Sequence, residues 1–273
     1  MDIAAFLAAP LAAALLLAAI LGYFGIHVIL RRVIFVDLAL AQIAALGTLV
    51  AFLAGHEPGS TVALGYSLGA ALLGAAVLSW TRTRRERVPQ EALIGITYVV
   101  ASALAIVIPD RAPEGAEHIK ELLAGAILWV TWPTLARDFI VYCAVGLLHY
   151  RLRDRFLLIS EAPEEAFARG VRVRLWDFVF YGSFAVVITF AVGVGGILMV
   201  FTYLVGPAIL AVGSCDGWPA RLAVAWAAGT IASVVGLAAS YRWDLPSGPA
   251  VVCMVGVMLI AYAIVRVPRT RAG

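Results

Sequence analysis

Charge is scarce in this chain. Only 14% of its 273 residues are Asp, Glu, Lys or Arg, while 63% are hydrophobic and the mean hydropathy is +0.98. One soluble core cannot bury that much apolar surface, so the composition excludes a water-soluble globular domain and implies an integral membrane protein. The formal net charge is only +3. The arginines sit mostly in short segments between apolar runs, which fits the positive-inside rule and argues against a nucleic-acid partner. Cysteine is nearly missing as well. Cys143, Cys215 and Cys253 stand singly among apolar neighbours, without C-x-x-C spacing, and read as packing residues rather than disulfides or metal ligands. No G-x-x-x-x-G-K-[ST] string occurs, so this chain does not hold ATP in a P-loop of its own; if ATP powers it, the ATPase is another polypeptide. The zinc-protease string H-E-x-x-H is also missing, and nothing marks the chain as an enzyme. The opening MDIAAFLAAP has no basic residue ahead of its apolar run, so it lacks the n-region of a cleavable signal peptide. That first run is expected to stay in the membrane.

What remains is a series of apolar runs, each close to the ~20 residues that a helix needs to cross ~30 Å of hydrocarbon. They are Ala4 to Leu30, Val33 to Gly55, Ser60 to Trp80 and Ala92 to Ile108. Between Arg111 and Leu135 the chain is first polar and then apolar for too short a distance. A partial or interfacial helix is expected there, with Trp129 and Trp132 suited to a headgroup belt. Leu135 to Tyr150 is the weakest span, because it carries Arg137 and Asp138. Phe178 to Cys215 has no charge at all and is too long for one span, so a break is expected at Gly193-Val194-Gly195-Gly196. Leu222 to Tyr241 and Leu245 to Val265 complete an all-α, polytopic fold of about eight or nine transmembrane helices, read as a single transmembrane domain over 1–273. If every run crosses, Arg31-Arg32, Arg82 to Arg87, Arg151 to Arg174 and Arg266 to Arg271 share one side. Positive-inside then places the C-terminus in the cytoplasm and the N-terminus outside.

Two stretches carry candidate function. Val33 to Gly55 is apolar enough to span, yet holds Asp37 and Gln42. A carboxylate within lipid costs roughly 2.5–3.5 kcal/mol on insertion scales and invites a functional reading: Asp37, with Gln42 five residues on, as a weak polar step for a cation. The competing reading is structural, an acid early in a helix, paired with Arg31 and Arg32 and favoured by the helix dipole. The other stretch is Arg151 to Arg174, RLRDRFLLISEAPEEAFARGVRVR, the longest polar segment. Here Ser160 is expected to cap a short helix with Glu161, Glu164 and Glu165 in its first turns, Arg169 in its last and Gly170 as its stop. A small charged helix among otherwise short loops is a handle for a soluble partner. Of the histidines, His27 and His149 are read as facing the inner interface, and His56 and His118 as solvated loop side chains on the outer side.

Several blocks, in order, resemble the transmembrane permeases of bacterial metal-ion ABC importers of the zinc and manganese type. They are GYFGIHVILRRVIFVDLALAQIAALG (Gly22 to Gly47), EALIGITYVVAS (Glu91 to Ser102), FARGV (Phe167 to Val171), VGVGGILMVFTYLVGPAILA (Val192 to Ala211) and SYRWDLPSGPAVV (Ser240 to Val252). The resemblance implies an ABC importer permease fold, a homodimer in the bacterial cytoplasmic (inner) membrane, a cytoplasmic ABC ATPase as partner and an extracytoplasmic metal-binding protein as donor. The chain itself would bind no cofactor, ATP being used by the partner. The segment at about 151–174 would couple the ATPase to the spans through Glu164, Glu165, Phe167, Arg169 and Gly170. The family's second span commonly starts Gly-Asp-Ala-Leu-Ser-His. Aligned on Gly47, Leu38 stands where that aspartate belongs, Gln42 where the histidine belongs and Asp37 at the glycine. Neither leucine nor an amide is a good zinc ligand. An ion-coupled secondary transporter, a permease for a non-metal cargo, and a membrane scaffold or sensor are the alternatives.

Overall fold

A computed structural model of the chain describes residues 3–57, 59–82, 88–107 and 127–270. Every regular element among them is a helix. In chain order they are α1 (Ile3–Arg31), α2 (Val36–Leu53), α3 (Thr61–Thr81), α4 (Gln90–Val107), a single 3₁₀ turn (Ile127–Trp129), α5 (Trp132–Arg151), α6 (Arg153–Glu161), α7 (Pro163–Ala168), α8 (Val173–Ser214), α9 (Trp218–Trp243) and α10 (Ser247–Thr270). Six helices, namely α1, α2, α3, α8, α9 and α10, are long and apolar enough to cross a membrane. The α4 helix is a shorter apolar one. With α5, and with α8 counted as two, the total agrees with the eight or nine spans read from the sequence.

The weakest expected span is a complete helix. The α5 helix begins three residues before the apolar run does and has 20 residues, about 30 Å of rise. Its charges are managed locally: the Arg137 guanidinium lies 2.8 Å from the Asp138 carboxylate, so the pair enters the helix nearly neutral. In α8 the expected break falls at Gly196, whose φ of 72° and ψ of 163° are open to glycine and strained for any residue with a Cβ. The interfacial helix expected before α5 falls mostly on residues 111–126, which, with His118 and residues 83–87 of the basic loop, lie outside the described residues; Ile127–Trp129 form a 3₁₀ turn.

Two packed units form. The first holds most of α1, the start of α5, the second half of α8, α9 and α10; the second holds α2, α3, α4, most of α5, α6, α7 and the first half of α8. In both, small residues let helix backbones approach closely, as helix association without a hydrophobic driving force requires. Within the first unit, a Cβ on Gly25 would collide with the Leu204 carbonyl, and one on Gly229 would sit 2.7 Å from the Ala18 methyl. The Tyr203 and Ser233 hydroxyls hydrogen-bond between α8 and α9, and the Trp226 indole donates to the Ala19 carbonyl on α1. In the second unit, α2 lies on α3 with Gly47 against the Tyr66 carbonyl, and the Ser67 hydroxyl donates to Ala44 O across 2.9 Å. The outward faces are apolar instead of polar: Leu73, Trp80, Ile140, Ile260 and Ile264 are all exposed. Such faces are unfavourable against water and correct against lipid. Two of the cysteines, Cys143 and Cys253, lie on these exposed faces, so the expected packing role does not hold for them; all three are free thiols.

Candidate coupling and permeation sites

The polar segment folds into two short helices, not one. Ser160 is not a cap: it lies near the end of α6, its hydroxyl buried and accepting a hydrogen bond from Arg31 Nε at 2.8 Å. Pro163 starts α7 instead, at the first helical position, where its missing N–H costs nothing. Glu164 and Glu165 occupy the first turn and are exposed, a placement that favours the dipole. Arg169 is the C-cap, and its guanidinium pairs with Glu165 one turn back. Gly170 then takes φ 71°, with its N–H bonded to Phe167 O and the Val171 N–H to Ala166 O. Those two bonds are a Schellman motif, so the expected stop at Gly170 is realised in full.

One side of this hairpin is anchored and the other is free. Ala166 is buried with Ile159 of α6 and Val173 of α8, and Phe167, Val171, Leu158 and Trp176 pack around them. Glu164, Glu165, Ala168 and Arg169 face outward. A six-residue helix has no stability of its own, so its geometry comes from this packing.

Beneath the hairpin lies an ion cluster that the sequence does not announce. Arg31, the last residue of α1, places Nη1 2.7 Å from Asp177 Oδ1, with both side chains fully buried. Arg82, which follows α3, places Nε 3.2 Å from the other carboxylate oxygen. The Arg31 guanidinium lies 3.9 Å over the Phe180 ring, and Arg174 Nε donates to the Arg82 carbonyl. Gln90, at the start of α4, donates to Leu78 O at the end of α3. Phe156 of α6 sits edge-on to Trp176 and Phe180, and is stacked at 4.4 Å on His149, whose Nε2 meets Ser183 Oγ at 2.7 Å. His149 is therefore a buried packing residue instead of an interfacial one. In the first unit His27 is likewise buried, with Tyr23 and Trp218 against its ring. His56 stays in the loop after α2.

The Asp37 site differs from both readings of it. Arg32 is exposed, Arg31 holds Asp177, and among the described residues no ion pair reaches Asp37. The expected Asp37–arginine pair does not form. Asp37 is only 2% exposed, at the second position of α2, and its Oδ1 has no hydrogen-bond partner. The α2 N-terminus is capped from elsewhere: Glu91, in the first turn of α4, accepts the Phe35 N–H at 3.0 Å. Gln42 is half-buried and, at ~100° per residue, lies about 140° around the helix from Asp37, so α2 does not bring the two side chains together. Among the described residues no group of three His, Cys, Asp or Glu side chains could hold a metal ion. A G-x-S-x-G string, Gly65 to Gly69, lies in the first half of α3. Its Ser67 is committed to Ala44 O and sits in regular helix, so it is no nucleophile elbow.

Comparison with known proteins settles the family. The model of the ABC 3 transport family matches residues 4–266. The chain belongs to that family. Among its relatives is the manganese transport system membrane protein MntC of Halalkalibacterium halodurans, 26% identical over 264 residues, covering 94% of this chain and 86% of the relative. Another is the chelated iron transport system membrane protein YfeD of Yersinia pestis, 23% identical over 189 residues, covering 69% of this chain and 63% of the relative. The fold matches a chain of PsaBC from Streptococcus pneumoniae, solved with a Fab, at a TM-score of 0.77 and 21% identity, over 94% of this chain and 90% of that one. This ABC 3 family member is thus a multi-pass permease, and the outward face of its α7 is exposed. Asp177 and Glu91, which the sequence reading did not single out, share one faint signal: each is an acid at the edge of a long apolar run.

Proposed function

We propose that the chain is the permease subunit of an ATP-driven importer that carries a divalent transition metal ion, of the zinc or manganese class, across the bacterial cytoplasmic membrane. The observation that carries this reading is the family match over nearly the whole chain, joined to relatives named for manganese and iron transport. Two copies form the pathway, and two ATPase subunits bind in the cytoplasm, where Glu164, Glu165, Phe167, Arg169 and Gly170 meet them. An extracytoplasmic binding protein delivers the metal. This chain binds no cofactor; ATP is hydrolysed by its partner. Asp37 and Gln42 act as separate polar steps along α2, weak enough to release a cation. The C-terminus is cytoplasmic, a reading supported by the placement of the arginine-rich segments under the positive-inside rule. Alternating access between rigid-body states supplies the transport.

The test is reconstitution of the chain with a candidate ATPase and binding protein in proteoliposomes. Metal-loaded binding protein is expected to stimulate ATP hydrolysis and metal uptake. Failure of the chain to copurify with any such ATPase, or uptake by the chain alone, overturns the reading.

A further inference from the structure

We infer that Arg31 is a positioning residue of the transport cycle: its guanidinium forks between Asp177 and Ser160 and so carries movement of the α6–α7 hairpin to the ends of the membrane helices. This rests on the reading of α7 as the ATPase contact, and extends it inward from the surface to a joint. The hairpin is fixed to the start of α8 by its apolar seam of Ile159, Ala166 and Val173 and by Phe156 against Trp176 and Phe180. An apolar seam resists separation but tolerates sliding, because it is not directional. Direction comes from the hydrogen bonds. Arg31 spends Nε on Ser160 in α6 at 2.8 Å and Nη1 on Asp177 in α8 at 2.7 Å, with the face of Phe180 beneath. The same carboxylate is ion-paired with Arg82 at the end of α3, and Arg174 Nε donates to the Arg82 carbonyl. Asp177, Arg31 and Ser160 are all buried, so water cannot take over these bonds when the helices shift. A planar fork holding two partners on different helices fixes their angle as well as their distance, which a lysine ammonium cannot do. The α1 end, the α3 end and the α8 start therefore follow the hairpin as one body.

Two substitutions separate this role from simple support. Ser160→Ala removes the α6 arm and leaves the ion cluster, and Arg31→Lys keeps the charge opposite Asp177 but loses the fork. In the full transporter, both are expected to copurify with the ATPase as the wild type does, to hydrolyse ATP at the basal rate, and to import about five- to tenfold less metal per ATP. The double variant should be no worse than either single one, since both cut the same link. An unchanged metal-to-ATP ratio in a stable, fully assembled complex of either variant overturns the inference. Glu164→Ala combined with Arg169→Ala, both on the outward face of α7, tests the underlying reading separately. If it leaves ATPase copurification undiminished, α7 is not the contact, whatever the ratio in Ser160→Ala.

Discussion

At the scale of single residues, the molecule places its few charges where geometry can satisfy them. Asp177 illustrates the cost of removing one. Breaking a buried pair on one side leaves a charge without compensation, typically about 3–5 kcal/mol, whereas an exposed pair such as Glu165–Arg169 is worth at most about 1 kcal/mol. Asp177→Ala is therefore expected to lower the yield and thermal stability of detergent-purified protein sharply, and Glu165→Ala to leave both near wild type. Equal melting temperatures for the two would contradict the burial of the cluster. Asp37 is a different case, because one carboxylate oxygen has no hydrogen-bond partner and no arginine among the described residues pairs with it. Asp37→Asn is close in shape and should insert and melt as wild type does, while reducing metal uptake several-fold if the group meets the cargo. Normal uptake would make Asp37 a helix-start residue only. The arginine partner of Asp177 was not legible in the sequence, since the two stand 146 positions apart and nothing in local pattern links them.

At the scale of elements, the legible part was the part that lipid dictates. Helix positions followed hydropathy, and the stop at Gly170 and the break within Gly193–Gly196 were found because glycine is what a left-handed or broken backbone requires. The short helix was misjudged at its start, since Ser160 looks like a cap in sequence while its hydroxyl is bound elsewhere, to Arg31. The α2 start was illegible for the same reason: its cap, Glu91, comes from another helix. Replacing Glu91 by alanine leaves the Phe35 N–H without its acceptor and is expected to cost about 1 kcal/mol, the usual value of a lost cap, measurable as a lower unfolding temperature. Glycines of α1 and α3 make a sharper comparison. Gly25 faces the Leu204 carbonyl so closely that Gly25→Ala must push two helices apart, whereas a Cβ on Gly69 meets nothing within 4 Å. Gly69→Ala should be neutral or stabilising by up to ~1 kcal/mol, the helix-propensity gain, while Gly25→Ala should impair folding. The reverse order would show that α1 does not pack on α8 as described.

For the whole molecule, the question is which helix ends share a side, and here bonds constrain what counting alone could only suggest. Counting spans depends on α5 crossing, because failure there would flip every later segment. The Arg31–Asp177 bond fixes the end of α1 and the start of α8 on one side within the second unit, and the tilted contact of the His27 and Trp218 rings fixes the end of α1 and the start of α9 within the first. If every span crosses, a cysteine placed at exposed Arg32, Arg172 or Asp216, in a background without Cys143, Cys215 and Cys253, should react from one common side. Exposed Gly55 and Asp244, each at the far end of a spanning helix, should react from the other. With the arginine-rich ends in the cytoplasm, a membrane-impermeant maleimide is expected to label Gly55→Cys and Asp244→Cys in intact cells, and the other three only after permeabilisation. Labelling of Gly55→Cys and Asp244→Cys from opposite sides would mean that α5 does not cross. Uniform inversion of all five would keep the fold and reverse the orientation, moving α7 to the side where no ATPase could reach it.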